Sequence, residues 1–229
     1  MRIRLINITR EAEKTIVFAS QVCKNKADYE FSEGIVDGTL NDEVIKKYIL
    51  ARIKEGHFGV LEHAVATFRW SDISRALTHQ LVRHRIASYC QQSQRAVSPK
   101  ASDIVTPPSI ETWQDVNYKG ASAQVLYERA ASECFRTYER LLGLGIPKED
   151  ARFILPEATF TDIIITKNFR TWRHSIRLRS SKRAQWEIRE ATIRSLEILQ
   201  QEAPNVFGDF IITAKGASGT SIEIPENCE

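Results

Sequence analysis

Over residues 2–8 apolar and polar positions alternate. Ile3 and Leu5 sit between Arg2, Arg4 and Asn7, and Ile6 and Ile8 follow less regularly. A period of two predicts a strand. The period then lengthens. Thr9 is placed to cap a helix running to about residue 24. Asn41 is placed to cap a second, whose face is Val44, Ile45, Tyr48, Ile49 and Ile53 and whose end is Gly56. Residues 64–70 are β-branched and aromatic, which predicts a strand. Ser71 then caps a third helix, with Ile73, Leu77 and Leu81 four apart, so Gln80, Arg83 and His84 fall near its C-terminal end. Pro99, Pro107 and Pro108 mark an irregular connection. Residues 121–142 read as a long helix with Leu126, Ala130, Cys134, Tyr138 and Leu141 on one face, stopped by Gly143 and Gly145. Pro147 opens a short helix with Arg152 near its end. Residues 159–166 are β-rich, Asn168 caps a helix to about Arg179, and residues 184–203 form the last helix. There are no repeats and no linker, so a single α/β (α+β) domain over residues 1–229 is expected. Strands and helices do not alternate as a doubly wound sheet requires.

Composition narrows the class. Hydrophobic residues are 42% and charged residues 27% of 229 positions, which suits a globular chain with a sizeable core. No run of 18 apolar residues occurs, and Met1 to Leu5 lead straight into Asn7, Thr9 and Arg10. No membrane partner and no signal peptide are therefore expected, and the cytoplasm is the default location. Cys23, Cys90, Cys134 and Cys228 have neither CxxC nor zinc spacing, so free thiols and no metal site are expected.

The net charge of +3 hides an uneven distribution. Residues 73–95 contain no acid but carry Arg75, Arg83, Arg85 and Arg95. Residues 167–183 contain none either, yet carry Lys167, Arg170, Arg173, Arg177, Arg179, Lys182 and Arg183. Solvated faces usually mix both signs, so two acid-free segments point to an anionic ligand. No GxGxxG and no GxxxxGK[ST] is present, so side chains rather than a glycine-rich turn must hold any nucleotide. In Arg83-His84-Arg85, followed after seven residues by Ser93-Gln94-Arg95, guanidinium groups are placed to grip phosphate by charge-assisted bonds. Backbone N–H groups and Ser93 would complete a cradle. A nucleic-acid binder using the same stretches with Phe169, Trp172 and Trp186 is the reading from another class, and a net charge of +3 is modest for it.

Arg83-His84-Arg85-Ile86-Ala87-Ser88-Tyr89 with the later Ser93 and Arg95 resembles the signature of the flavin-dependent thymidylate synthases. Gly56-His57-Phe58-Gly59-Val60-Leu61-Glu62-His63 is similar to that family's GHxS/TxxEH segment. Ala151-Arg152-Phe153-Ile154-Leu155-Pro156 is similar to its AR-x-x-LP segment. Asn168-Phe169-Arg170, His174, Leu178-Arg179 and Ala184-Gln185-Trp186-Glu187-Ile188 resemble its later helix. The four blocks run in the family's order.

The resemblance implies a mixed, mostly antiparallel sheet flanked by helices, of the thymidylate-synthase-complementing kind, in a homotetramer with sites at subunit interfaces. It implies methylation of dUMP to dTMP, with 5,10-methylenetetrahydrofolate as carbon donor, FAD as cofactor and NADPH as its reductant. A sister enzyme that hydroxymethylates a pyrimidine nucleotide is the neighbouring possibility. Carried over by position, FAD contacts fall on Gly59, Arg83, His84, Arg85, Gln91, Asn168, Phe169, Arg170 and His174. Contacts to dUMP fall on Gln80, Leu81, Val82, Arg83, Gln91, Gln92, Ser93, Gln94, Arg95, Arg152 and Arg179. Arg179 would stabilise charge developing on the uracil ring, the catalytic role, and His57 would lie near flavin and folate. Gly59, Cys90, Gln91 and Ala96 depart from the family's usual Ser/Thr, Asn, Glu and Tyr. Cys90 and Ser93 are more plainly structural or binding residues than nucleophiles, and His63 and His79 read as structural.

Overall fold

In a computed structural model, which describes residues 1–22, 41–112, 117–118, 120–216 and 219–223, alternation at the N-terminus gives strand β1 (Arg2–Ile8). Helices α1 (Ala12–Val22) and α2 (Asp42–Lys54) follow. Asn41 caps α2, its side chain accepting from the Val44 amide, and Gly56 takes the left-handed φ of 71° that ends the segment. The predicted end of α1 at residue 24 and two of the cysteines, Cys23 and Cys228, lie outside the described residues. Cys90 and Cys134 are free thiols.

Strand β2 (Val65–Ser74) runs four residues beyond the predicted end. Ser71 therefore does not cap a helix, and Ile73 is a buried strand residue. Ser74 takes the capping bond instead, accepting from the Leu77 amide at 3.0 Å, and helix α3 spans Arg75–Leu81. Arg83 and His84 lie just past its end. Strand β3 (Ser88–Gln91) lies between Arg85 and Ser93, where the sequence pattern predicts no strand. Helix α4 (Ala123–Gly143) buries Ala131, Phe135 and Tyr138. The predicted face is displaced, for Leu126 and Ala130 point to solvent. Strand β4 (Phe160–Asn168) leads into α5 (Phe169–Arg179), and α6 (Trp186–Glu202) follows. A hairpin of β5 (Ile211–Gly216) and β6 (Gly219–Glu223) was not legible in the sequence. The main sheet has the order β1-β2-β4-β3. Thr9 meets Val65 and Arg2 meets Asp72, so β1 and β2 are antiparallel. Thr67 meets Thr166, and Ser71 meets Asp162, so β2 and β4 are too. The sheet thus has the expected antiparallel character with helices beside it.

The chain divides into two units, each assembled from separated segments. The smaller takes Met1–Arg2, Ser71–Gln80 and Cys90–Ile163; the larger takes Ile3–Trp70, Leu81–Tyr89 and Ile164–Glu229. The smaller unit's core includes Ile73, Leu77, Phe135 and Tyr138. The larger buries Ile16, Ile49, Leu61, Phe68, Trp70, Trp172, Ile176, Leu196 and Phe207. Both its buried indoles find acceptors, Trp70 at Ser195 Oγ (3.1 Å) and Trp172 at the Ala66 carbonyl (3.1 Å), as buried N–H groups require.

Candidate functional site

Within the larger unit, the turn after α3 and the helix α5 wall a cavity of about 780 Å³. Arg83, His84 and Arg85 come from the turn. Asn168, Arg170, His174, Arg177 and Arg179 come from β4 and α5, and Glu62 from the short 3-10 turn Phe58–His63. The helix supplies its set because residues 170, 174 and 177 fall at i, i+4 and i+7, one face of an α-helix. Asn168 caps α5 through a bond from the Thr171 amide (2.8 Å), so the positive end of the helix dipole opens at the cavity.

The charges are poorly compensated. Arg83 and Arg85 make no hydrogen bond or ion pair among the described residues, and Arg177 Nε is buried without a partner. The lining carboxylate, Glu62, pairs with Arg170 at 2.7 Å, both about half exposed, an arrangement worth about 0–1 kcal/mol. Arg179 is held below the ordinary arginine range by burial and then by the like charge of Arg83. It remains a cation. His84 is pushed down to about 3 by burial, then by Lys167, Arg179 and His174. His174 moves the same way, by burial and then by Arg177. Both imidazoles are therefore neutral at pH 7.

Lys167 is 2% exposed. The strand's period of two explains this, since Lys167 shares the buried parity of Ile163 and Ile165. Its Nζ donates to Ser175 Oγ at 2.8 Å and lies 4.8 Å from the Trp172 ring centroid. Burial, and then Arg179, lower it to about 7.

Several residues expected at a ligand are placed elsewhere. Phe169 is fully buried against Phe207 (ring centroids 5.1 Å apart), and its amide donates to the Ala64 carbonyl. Gly59 does not line the cavity. A Cβ added there meets nothing within 4 Å, so the family's Ser or Thr would fit. Leu81 is in the core, 1% exposed, and Val82 points outward. Arg173, counted with the basic segment, is fully buried. It forms a two-pronged pair with Asp209 (2.7 and 2.6 Å), also donates to the Val206 carbonyl, and sits 4.7 Å from the Phe210 centroid. It is a core ion pair, not a ligand group.

The remaining predicted contacts belong to the smaller unit. Gln91 Nε2 donates to Thr78 and Thr161 hydroxyls (3.1 and 3.3 Å), so the amide is engaged internally. Ser93 does not open a cradle of free N–H groups. Its Oγ accepts from the Arg95 amide, and its carbonyl accepts from the Ala96 and Val97 amides. Gln92 and Gln94 line a separate cavity of about 160 Å³ with Asp72, Asp103 and Asp162, surroundings that repel phosphate. Arg95 pairs with Glu149 (2.7 Å), and Arg152 Nε donates to the Glu149 carbonyl (3.1 Å). Gln80 is half-buried on α3.

Glu62, Lys167 and Arg177 were not picked out individually from sequence. The signal for Arg177 was the helical spacing from Arg170 and His174; for Lys167 it was strand parity. No cluster of three or more potential metal ligands occurs among the described residues, and no described helix is long and apolar enough to cross a membrane.

The model of the family described as "Thymidylate synthase complementing protein" matches residues 4–205. A flavin-dependent thymidylate synthase of Sulfurisphaera tokodaii is 37% identical over 209 residues, 90% of this chain and 76% of that protein. One from Geobacter sulfurreducens is 37% identical over 212 residues, 91% of this chain and 86% of that protein. Among solved structures, the UMP/dUMP methylase PolB of Streptomyces cacaoi, bound with 5-Br dUMP, shares the fold at a TM-score of 0.75. It is 22% identical, with 90% of this chain and 93% of that chain covered. With its family model matched over most of its length and relatives aligned over nine-tenths of it, this chain belongs to the flavin-dependent thymidylate synthases.

Proposed function

We propose that the chain converts dUMP to dTMP, with 5,10-methylenetetrahydrofolate as carbon donor, FAD as cofactor and NADPH as reductant. The observation that carries this reading is the cavity at α5, where uncompensated guanidinium groups meet a capped helix N-terminus. The donor set fits a dinucleotide cofactor, for the orphaned Arg177 Nε and the unpaired Arg83 and Arg85 suit a pyrophosphate.

Arg83, His84, Arg85, Asn168, Arg170 and His174 would hold FAD. The reduced flavin, when bound, supplies the hydride that completes the methyl group. Gln80, Ser93, Arg95 and Arg152 would hold dUMP, with Arg95 and Arg152 giving up Glu149 for the nucleotide. In the homotetramer we infer, these residues and the cavity set come from different subunits. Arg179 stabilises negative charge developing at N3 and O2 of the uracil ring, a fixed charge that needs no reorganisation at the moment of reaction. The chain works as a soluble cytoplasmic transferase.

Oxidised-flavin absorbance of the purified protein, and release of tritium from dUMP labelled at C5 in the presence of NADPH and methylenetetrahydrofolate, test the reading together. Flavin binding with tritium release is expected. No flavin uptake from added FAD, together with no release, sinks it.

A further inference from the structure

Arg179 ends α5, and its Nε donates to His84 Nε2 at 3.0 Å. A guanidinium has no lone pair to offer, so Nε2 must be the unprotonated nitrogen of a neutral imidazole whose proton is on Nδ1. The surroundings enforce that state. His84 is buried at 7% exposure, and no carboxylate among the described residues pairs with it. Cations face it from two elements, Arg179 on α5 and Lys167 on β4, with His174 of α5 at 5.9 Å ring to ring. Protonating His84 would put another positive charge among them and abolish the acceptor.

The turn that carries His84 is itself tied down. Tyr89 Oη lies 2.9 Å from both the Leu81 and His84 carbonyls, so its one proton is shared between the two backbone groups flanking the turn. Burial raises Tyr89 to about 12, so that proton is retained at any working pH. The chain of contacts runs from Tyr89 to the His84 backbone and from the His84 ring to Arg179. An N–H···N bond at Nε fixes the direction of that N–H, and because guanidinium is planar it fixes the plane of the whole group.

We infer that His84 is a positioning residue for Arg179: the middle residue of Arg83-His84-Arg85 orients the guanidinium of α5 toward the nucleotide ring, and is not only a cofactor contact. The inference rests on the reading of Arg179 as the group that meets the ring.

The test uses the full chain with FAD bound and two variants. In His84→Gln the side-chain amide oxygen reaches about where Nε2 lies and can still accept. In His84→Leu it cannot. The readouts are the flavin dissociation constant from absorbance titration, kcat and KM for dUMP at saturating FAD, and the rate at which phenylglyoxal modifies Arg179, followed by peptide mass spectrometry. For His84→Leu, kcat falls about 10–100-fold at saturating FAD, the scale on which misplacement of a reacting group is felt. Arg179 modification becomes several-fold faster, and His84→Gln recovers most of both. If saturating FAD returns His84→Leu to wild-type kcat, His84 is a cofactor contact alone and the inference is overturned. Equal losses in both variants with unchanged Arg179 modification overturn it too. If wild type itself has no turnover, the proposed reaction fails, and the modification rates still decide whether His84 holds Arg179. Should the leucine variant not fold, His84→Asn, whose amide is too short to reach Nε, takes its place.

Discussion

Around the larger unit's cavity, Arg83 and Arg85 bond to nothing among the described residues and Arg177 Nε is buried without a partner. In the smaller unit Arg95 is paired with Glu149, and Arg152 leans on the same residue's carbonyl. The same residue type is thus kept in two states. In the first set Arg83 and Arg85 are exposed and have no counter-charge among the described residues, so an anion entering there competes with no carboxylate for them. In the second set the exposed Arg95 is neutralised, so an anion must displace Glu149 from it, and an exposed pair of that kind yields at little cost. Uncompensated charge lies with the cavity, and a displaceable counter-charge with Arg95.

The strongest way to break this contrast is Arg179→Ala. Loss of a preorganised charge should lower kcat by about 10²–10³-fold while flavin absorbance persists. Full activity would show that the cavity's cations only bind. Next comes Lys167→Met, which removes the buried ammonium behind the cavity. The folded pKa of Lys167, about 7, lies below the free value of 10.5. Between these values the unfolded chain binds the extra proton, so the wild type gains stability, relative to the variant, as pH rises from about 7 to 10.5. Below 7 the full penalty is present. The difference should be on the order of a few kcal/mol, read from denaturant melts of both proteins at several pH values; a difference independent of pH would mean that Lys167 stays charged throughout.

Asn168→Ala should cost about 1 kcal/mol through the lost helix cap and weaken FAD binding, measurable by thermal melting with and without FAD. Unchanged melting would show that the cap bond contributes nothing at this helix. The smallest effect is expected in the smaller unit. Glu149→Gln frees Arg95 and should lower KM for dUMP by roughly two- to fivefold, the scale of an exposed ion pair, with little change in kcat. A raised KM would mean that Glu149 organises the site rather than competing with the nucleotide.

Much of this was legible in the residues, and the failures have physical causes. Strand β1 and the Asn41 and Asn168 caps followed from period and capping chemistry alone, while Arg170 and His174 on the cavity face of α5 came only from the family resemblance. Ser71 misled because a capping side chain before an apolar i, i+4 run also suits a strand that continues. Only pairing with β4 carries β2 on to Ser74. Charge runs point to the segments that line the cavity but do not tell their arginines apart. Arg170, Arg173 and Arg177 look alike in sequence, and only packing against Phe58, Phe210 and Asp209 separates Arg173 from the other two. The local amide bonding at Ser93 and Gln91 depends on partners distant in sequence or on turn geometry, which no motif encodes.

The Arg173–Asp209 pair also fixes something about α5 that its other contacts leave less defined. A helix can roll about its own axis, and each residue along it advances the phase by about 100°. A fully buried fork bonded to one carboxylate acts as a rotational key, because rolling the helix would strand a charge in the core. His174 is the next residue, and Arg177 is four beyond Arg173, so the key sets the angle at which both present themselves. A one-residue insertion between Asn168 and Arg173 would leave every cavity side chain in the sequence and turn the cap and Arg170 out of phase with the rest. The spacing of this helix is therefore under tighter constraint than the identity of its exposed residues.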